Sequence, residues 1–242
     1  MVDIHCHILP RMDDGASSLE ESLAMARMAA DSGVTDIVAT PHFPGWKDSL
    51  RLLPKLIDRY TTLTEAIEEE RIPVKIHLGA EIRCMSDTVY LASQKLLPTI
   101  GDTRYFLTEF RFDESYDVMD AMLRDIAALG YIPVVAHPER YGAIQADPLA
   151  VRHWFRQGYV LQLNKGSVLG AFGSDARITA EILLEAGLVH LVASDAHSAR
   201  HRTPHMGMLR EWMERHLHHR YSHILLEENP GRLLRGEPMR PV

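Results

Sequence analysis

Short apolar segments alternate with amphipathic segments along the whole chain. The apolar segments are rich in Val, Ile, Leu and Ala and end at Gly, Pro or a charged residue, as buried strands do. The amphipathic segments carry apolar side chains at intervals of three and four residues, which predicts helices with one buried face. We predict about seven strands, near residues 3–7, 35–40, 74–79, 105–108, 132–136, 159–163 and 189–193.

Helix start and stop signals lie between these strands. Serines at 17–18 stand three residues before glutamates at 20–21, which is the spacing of a capping box, and Gly33 follows the last apolar position. Pro230 fits the first turn of a short last helix. Residues 43–53 contain Pro, Gly and Trp and predict a surface loop. Further helices are predicted over residues 54–70, 118–129, 149–157 and 179–186.

Strands that alternate with helices indicate βαβ units and a parallel sheet. Both an open doubly wound sheet and a closed barrel fit this pattern. Nearly every predicted strand is followed by His, Asp or Glu, and a barrel gathers the carboxyl ends of its strands into one site, whereas an open sheet spreads them apart. We therefore predict an α/β fold, a distorted, TIM-like (β/α)7 barrel. No shift in composition divides the chain, so residues 1–242 are expected to form one domain.

Imidazoles and carboxylates at the predicted strand ends are candidate metal ligands. His5 and His7 share one face of the first strand because residues i and i+2 of a strand do so. Nitrogen and oxygen donors without thiolates favour Mn, Fe, Zn or Mg, and their number suits two or three ions bridged by carboxylates. The nine candidate ligands are His5, His7, Asp14, His42, Glu81, Glu109, His137, Asp195 and His197.

Two arginines closely follow candidate ligands: Arg140 after His137, and Arg202 after His197. Arginine binds phosphate oxygens in a bidentate manner and complements the charge of bound metals. Clustered metals lower the pKa of water and stabilise charge on the oxygens of a displacement. These features together predict hydrolysis of a phosphate ester.

Cysteine-dependent phosphatase chemistry is excluded by spacing. That chemistry needs a thiolate and an arginine in the pattern Cys-x5-Arg, so that loop amides and the guanidinium hold one phosphate. Met12 stands six residues after Cys6, and Tyr90 stands six residues after Cys84. Cys6 lies between two candidate ligands on a strand and is expected to point into the packing.

Composition narrows the possible partners and location. The net charge of −7 argues against a nucleic-acid partner, which would favour a basic surface. The two cysteines fit a reducing compartment. No signal-peptide pattern opens the chain, and no apolar run is long enough to span a bilayer. We expect a cytoplasmic protein without membrane insertion.

The motifs resemble those of the PHP superfamily of metal-dependent phosphoesterases. VDIHCHILPRMDDG at residues 2–15, ATPH at 39–42, HPER at 137–140 and ASDAH at 193–197 carry the resemblance, with AE at 80–81 and EF at 109–110. More narrowly, they are similar to bacterial tyrosine phosphatases of the CpsB/YwqE type, which regulate capsule and exopolysaccharide synthesis. The resemblance covers essentially the whole chain. It implies a distorted (β/α)7 barrel with a trinuclear centre, usually supported by manganese.

The resemblance also implies a role for each candidate residue. Arg140 and Arg202 correspond to arginines that bind phosphate, although Arg200 competes for the second role and Asp13 competes with Asp14 as a ligand. The first ion would bind His5, His7, Glu81 and Asp195; Glu81 would bridge to a second ion shared with Glu109 and His137; Asp14, His42 and His197 would bind the third.

The function implied is a metal-dependent protein-tyrosine phosphatase in which a metal-bridging hydroxide attacks phosphorus in line with the phenolate. Its expected substrate is a phosphotyrosine in a membrane-associated bacterial tyrosine kinase. The alternative is a small-molecule phosphatase of the same superfamily, such as a histidinol phosphatase. An inactive metal-binding scaffold would lack a ligand, and none is missing. Residues 163–167 read LNKGS where the family often has Thr-Ser-Gly-Ser, a departure expected to touch the substrate rim rather than a metal ligand.

Overall fold

The computed structural model describes residues 1–240 as an α/β fold with parallel strands. Residues 241 and 242, the last two of the predicted domain, lie outside the described residues. The strands are β1 (Val2–Cys6), β2 (Asp36–Ala39), β3 (His42–Pro44), β4 (Lys75–Leu78), β5 (Glu81–Arg83), β6 (Tyr105–Glu109), β7 (Ile132–Ala136), β8 (Val160–Asn164) and β9 (Leu191–Ala193).

These strand segments occupy seven positions around the sheet, because two of the positions are interrupted. Thr40 and Pro41 separate β2 from β3, and Gly79 and Ala80 separate β4 from β5. Before the interruptions the order is β1-β2-β4, and after them it is β3-β5-β6-β7-β8-β9, with every pair parallel. Pro41 has no backbone N–H to donate, which explains why the ladder changes there.

The first and last strands close the sheet into a barrel. Cys6 and Ala196 form an isolated parallel bridge. The His7 N–H donates to the Ala196 carbonyl over 2.8 Å, and the Asp195 N–H donates to the His5 carbonyl over 2.8 Å. The predicted distorted, TIM-like (β/α)7 barrel is therefore confirmed.

The helices pack between and around the strands. Ser18 caps the first helix, its hydroxyl accepting from the Glu21 N–H over 3.2 Å, and Pro230 lies in the first turn of the last one, as predicted. The helices are α1 (Leu19–Asp31), α2 (Leu53–Glu69), α3 (Thr88–Ser93), α4 (Tyr116–Ala128), α5 (Gly142–Ala146), α6 (Arg152–Arg156), α7 (Lys165–Val168), α8 (Ser174–Glu185), α9 (Gly207–His216), α10 (His219–His223) and α11 (Asn229–Leu234), with a π-helical turn at Ile224–Glu228.

Two local predictions were wrong. Residues 43–53 are not a plain loop, because they include most of β3 and the 3-10 helix Lys47–Leu52. The helix predicted over residues 149–157 is divided into the 3-10 helix Pro148–Val151 and the short α6. Pro148 sets the backbone for a helical first turn and cannot donate a hydrogen bond.

The alternation of side chains along the strands places apolar core residues and polar site residues on the same face of the sheet. Leu107 packs in an apolar cluster inside the sheet, and Glu109 follows it on the same face of β6. At the end of β9, Ala193 packs in the same apolar cluster, and Asp195 follows two residues later, just beyond the strand. The apolar positions thus fix the face on which polar side chains emerge at the carboxyl ends. No helix within residues 1–240 is both long enough and apolar enough to cross a membrane.

Candidate metal centre

The nine predicted ligands lie together at the carboxyl ends of the strands. Asp195 Oδ1 is 3.6 Å from His5 Nε2, and His137 Nε2 is 2.9 Å from Glu81 Oε1. Seven of the nine residues form three overlapping groups, and the ligand atoms of each group lie within 4.8 Å of one another: His5, His7 and Glu81; His42, Glu81 and Glu109; and His7, Asp14, His42 and His197.

Glu81, at the start of β5, lies at the centre of the cluster. Its Oε2 atom is 3.3 Å from His5 Nε2, 3.4 Å from His7 Nε2 and 3.0 Å from His42 Nδ1. Its Oε1 atom faces His137 on the opposite side. One buried carboxylate that contacts four imidazoles has the geometry of a bridging ligand.

The donor set fits divalent metal ions. His5 Nε2 and His7 Nε2 approach each other to 3.3 Å, and the oxygens of Glu81 and Asp195 lie beside both. Nitrogens and carboxylate oxygens that converge on one point in a buried site are the ligands of a cation. Glu109 Oε2 is buried without a hydrogen-bond partner, as expected of an oxygen that a metal would use.

Asp13 and Asp14 have different surroundings. Asp13 Oδ2 is 2.7 Å from His7 Nδ1 and accepts the His42 N–H over 2.8 Å. Asp14 is largely exposed, and its Oδ1 atom lies 3.6 Å from both His42 Nε2 and His197 Nε2. A carboxylate on the far nitrogen of a ligating histidine orients the ring. The geometry therefore favours Asp14 as the ligand and Asp13 as the group that orients His7.

The turn after these aspartates requires glycine. The Gly15 N–H donates to Asp13 Oδ1 over 3.0 Å. A Cβ atom at Gly15 would lie 2.1 Å from the His7 carbonyl oxygen and 2.6 Å from His7 Cβ, which no side chain tolerates. The close approach of this backbone to His7 thus depends on the missing side chain.

The buried side-chain amides of Gln162 and Asn164 connect the candidate ligands His5 and Asp195 through hydrogen bonds. His5 Nδ1 is 2.8 Å from Gln162 Oε1, so His5 presents Nε2 to the cluster. Gln162 Nε2 donates to Asn164 Oδ1 over 3.0 Å, and Asn164 Nδ2 donates to Asp195 Oδ2 over 2.5 Å. The LNKGS departure was expected to touch the substrate rim rather than a metal ligand, but its Asn164 contacts the candidate ligand Asp195 directly.

Sequence reasoning missed both amides, although a signal was present. Gln162 and Asn164 are two residues apart in a strand whose other residues are apolar, so they share one buried face. Buried amides need hydrogen-bond partners. The pattern therefore indicated a polar network at the carboxyl end of β8.

Carboxylates dominate the electrostatics of the cluster. Burial lowers the pKa of His5, but Glu81 and Asp195 outweigh it and raise that pKa to about 9. Burial likewise opposes charge on His7, yet the hydrogen bonds that the His7 ring donates to the carboxylates of Asp13 and Asp195 hold its pKa well above the ordinary value. Burial raises the pKa of Asp13, and the His7 contact overcomes it and lowers the pKa to about 2. The buried carboxylates therefore favour positive charge in the cluster, whether as protons on the imidazoles or as bound cations.

Both predicted arginines meet at Asp195. Arg202 Nη2 is 2.6 Å from Asp195 Oδ2, and Arg140 Nη1 is 3.6 Å from the same atom. The Arg140 guanidinium lies between two aromatic rings, 4.4 Å from the Phe112 centroid and 4.5 Å from the Phe172 centroid. This geometry favours Arg202 over Arg200 beside the cluster.

Three residues at this edge have left-handed backbone conformations. The φ angles are 36° at His137, 48° at Asp195 and 51° at Arg202. Residues other than glycine adopt such angles at a cost of about 1–3 kcal/mol, and they concentrate at functional sites. The packing of the barrel rim holds these side chains in place despite that cost.

Neither cysteine is positioned to act as a nucleophile. Cys6 is fully buried, as predicted, and burial raises the pKa of its thiol well above the ordinary value. Burial and the neighbouring Glu109 also raise the pKa of Cys84. A reactive cysteine needs a lowered pKa and access to solvent.

The fold and this cluster define a distorted TIM-like barrel with a dense imidazole and carboxylate site at the carboxyl ends of its strands. The chain belongs to the CpsB/CapC family of capsular polysaccharide synthesis, whose model matches residues 1–235. The family resemblance found in the motifs is thus confirmed.

Named relatives match over nearly their full lengths. The tyrosine-protein phosphatase YwqE of Bacillus subtilis (strain 168) is 35% identical over 249 residues, which covers 100% of this chain and 96% of the relative. The tyrosine-protein phosphatase CpsB of Streptococcus pneumoniae is 32% identical over 241 residues, which covers 97% of this chain and 98% of the relative.

Solved structures agree with the fold. A structure from crystallographic work on YwqE from Bacillus subtilis and CpsB from Streptococcus pneumoniae, described as unique metal-dependent tyrosine phosphatases, superposes with a TM-score of 0.87. It is 35% identical, and the match covers 100% of this chain and 99% of the other. A β-aspartyl dipeptidase from Fervidobacterium islandicum AW-1 shares the fold at a TM-score of 0.53 and 14% identity, over 96% of this chain and 72% of the other.

Proposed function

We propose that this chain is a metal-dependent protein-tyrosine phosphatase. One observation carries the proposal: nine imidazole and carboxylate side chains cluster together with Glu81 at their centre, and two arginines meet at the edge of this cluster on Asp195. Metal ligands beside paired guanidinium groups suit phosphate ester hydrolysis. The names of the relatives YwqE and CpsB, both tyrosine-protein phosphatases, support the choice of substrate.

The proposed cofactor is a trinuclear centre of divalent ions, most simply Mn²⁺, which the nitrogen and oxygen donors accept. Bound ions would lower the pKa of water and offset charge on the phosphate oxygens. The distances around Glu81 and Asp14 support the following assignment: His5, His7, Glu81 and Asp195 for the first ion; Glu81, Glu109 and His137 for the second; and Asp14, His42 and His197 for the third.

Protein side chains would bind the phosphate group of the substrate. Arg140 and Arg202 would bind the non-bridging phosphate oxygens and offset the charge that redistributes over them. The rings of Phe112 and Phe172 both contact the Arg140 guanidinium and restrict its movement, so less ordering is needed when phosphate binds. Tyrosine, with a reference pKa near 10, is a better leaving group than a serine alkoxide.

The biological setting follows from the family. We propose that the substrate phosphotyrosine belongs to a membrane-associated bacterial tyrosine kinase, and that the enzyme acts in the cytoplasm on capsule or exopolysaccharide synthesis. The family description, capsular polysaccharide synthesis, supports this setting. We also propose that residues 1–242 form one phosphatase domain, because a single family match extends over residues 1–235.

The test is phosphate release by chelated protein before and after Mn²⁺ is added. A phosphotyrosine peptide, a phosphoserine peptide and histidinol phosphate are compared. We expect Mn²⁺ to restore activity that is selective for phosphotyrosine. Selectivity for histidinol phosphate would identify a small-molecule phosphatase instead of a protein-tyrosine phosphatase. Activity that does not change on chelation would refute the metal centre.

A matched pair of variants sharpens this test. Glu81→Gln is expected to lower kcat by at least about 100-fold, because Glu81 contacts four other candidate ligands. Glu65→Gln, on the exposed face of α2, is the control and should retain wild-type turnover. Equal activity of the two variants would contradict the central role of Glu81.

A further inference from the structure

A large cavity adjoins the candidate metal centre. Its volume is about 780 Å³, and Arg202 lines it while also contacting Asp195. Ligand cavities in proteins commonly span about 300–1,000 Å³. A phosphate group held by Arg202 would therefore lie beside this cavity, which the nine candidate ligands leave unused.

The apolar wall of the cavity is formed by side chains from separate segments: Met28, Leu169, Phe172 and Met208. Met28 comes from α1, Leu169 and Phe172 from the segment after α7, and Met208 from α9. Met208 is 68% exposed and lines the cavity together with the other apolar side chains, so they form a contiguous apolar surface of the kind that marks binding sites. Methionine is flexible and adapts to different apolar partners.

The charged side chains that line the cavity are basic. Lys165, Arg200 and Arg202 line the cavity together with His201 and His205, and within the described part of the chain no Asp or Glu side chain lines it. This contrasts with the net charge of −7 for the whole chain. A local excess of positive charge favours a ligand that carries negative charge.

The walls are held in place before any ligand binds. Lys165 Nζ donates to the Thr203 carbonyl and, over 3.1 Å, to the His205 carbonyl, which ties α7 to the segment before α9. Gly166 lies against Phe172, and a Cβ atom there would come within 2.5 Å of the ring. A preformed wall reduces the ordering cost of binding.

We propose that this cavity binds the peptide around the phosphotyrosine, taking one large apolar side chain against Met28, Leu169 and Met208 and an acidic neighbour at Arg200. This inference rests on the proposed function and specifies its substrate class as an acidic peptide with an apolar residue near the phosphotyrosine. Arg202 joins the two sites, because it lines the cavity and faces the cluster.

The proposal separates protein substrates from small ones. Free phosphotyrosine carries no neighbouring side chain and would leave the cavity unused. A peptide with Leu and Asp beside the phosphotyrosine would use it, whereas the same peptide with Ala and Lys would not. A filled apolar pocket contributes about 10-fold or more to kcat/KM, so we expect about that ratio between the two peptides.

The test uses Met208→Glu, which places a carboxylate on the apolar wall at an exposed position. Ile57→Glu, at an exposed apolar position on α2, is the matched control. We expect Met208→Glu to lower kcat/KM for the Leu/Asp peptide about 10-fold and to turn over free phosphotyrosine at the wild-type rate. Ile57→Glu should match the wild type with both the peptide and free phosphotyrosine.

A binding measurement keeps this inference distinct from the proposed function. Fluorescence anisotropy of a labelled Leu/Asp peptide carrying a non-hydrolysable phosphonate in place of the phosphate reports affinity without turnover. Weaker binding by Met208→Glu alone would support the subsite. Equal binding by wild type and both variants would overturn it, whereas absent turnover of every phosphotyrosine substrate would overturn the proposed function instead.

Discussion

Asp13 and Asp14 are adjacent in the sequence, but the turn sends their carboxylates to different histidines. Asp13 is buried against His7 Nδ1, and Asp14 is exposed between His42 and His197. We expect Asp14→Asn to lower the bound Mn²⁺ by one ion per chain. Asp13→Asn should retain the full number of ions but weaken Mn²⁺ affinity about 10–100-fold, because a group that orients a ligand is lost.

Metal content by elemental analysis and affinity by calorimetry separate these two effects. Asp125→Asn, at an exposed position of α4, is the control and should match wild type in both measurements. If Asp13→Asn lost an ion and Asp14→Asn did not, the two roles would be reversed.

Gln162 is the second residue whose role can be tested. Gln162→Met preserves the volume but removes the acceptor for His5 Nδ1 and the donor to Asn164. We expect Mn²⁺ affinity to fall about 10–100-fold and the free energy of unfolding to fall by about 1–3 kcal/mol, because buried polar groups lose their partners. Calorimetry and urea denaturation measure these quantities.

The exposed Gln157 supplies the matched control, since Gln157→Met removes an amide that faces solvent. Unchanged affinity in Gln162→Met would show that His5 keeps its orientation without the amide chain.

The clustering of the strand-end residues was predictable from the sequence, because every closed parallel barrel brings the carboxyl ends of its strands together. His5, Glu81 and Asp195 could thus be assigned to one cluster from the sequence. The distances between them, and the division of work between Asp13 and Asp14, depend on a turn whose geometry a Cβ-free Gly15 permits. Such contacts between distant segments leave no periodic signal in the sequence.

At the scale of elements, long periodic segments were predicted well and short ones were not. β6, β7 and α4 follow the predicted ranges closely, whereas β3 and β5 have only three residues each. A three-residue strand is too short to show alternation, and its place is determined by pairing with its neighbour. These two strands matter because His42 and Glu81 begin them.

His190, the residue just before β9, forms a contact with β8 that depends on pH. His190 Nδ1 accepts the Leu161 N–H over 3.0 Å, and the ring stacks on Phe155. Burial lowers the pKa of His190 from 6.5 to about 4. The folded state therefore binds the proton less readily than the unfolded chain, and stability falls as the pH falls.

The sign and range follow from these pKa values. The contribution of the neutral His190 to the free energy of unfolding is present in full above pH 6.5 and is lost progressively as the pH falls toward 4. The total loss over this pH range is about 3 kcal/mol. His190→Gln keeps an acceptor for Leu161 but cannot be protonated. We expect urea denaturation at several pH values to show a weaker decline in stability for this variant than for wild type.

His219→Gln, at an exposed position of α10, is the control and should retain the decline of wild type. If the stability of His190→Gln fell as steeply with pH as that of the wild type, protonation of His190 would not be the cause of the loss.

At the scale of the molecule, few backbone contacts close the barrel where its first and last strands meet. A single isolated bridge and two backbone hydrogen bonds join β1 to the segment after β9. The candidate metal ligands lie across this same seam, with His5 and His7 on one side and Asp195 and His197 on the other. Ions held by both sides would therefore join the two ends of the sheet.

Metal binding should consequently raise the melting temperature of the whole barrel. Saturation at about 100 times Kd stabilises the folded state by about 2.7 kcal/mol, which corresponds to a rise of about 5–10 °C for a chain of this size. Differential scanning calorimetry of chelated protein, with and without Mn²⁺, measures the rise. Asp195→Asn should lose most of it, whereas Asp175→Asn, exposed on α8, should keep it. Equal melting of the chelated and Mn²⁺-loaded wild type would contradict a metal bridge across the seam.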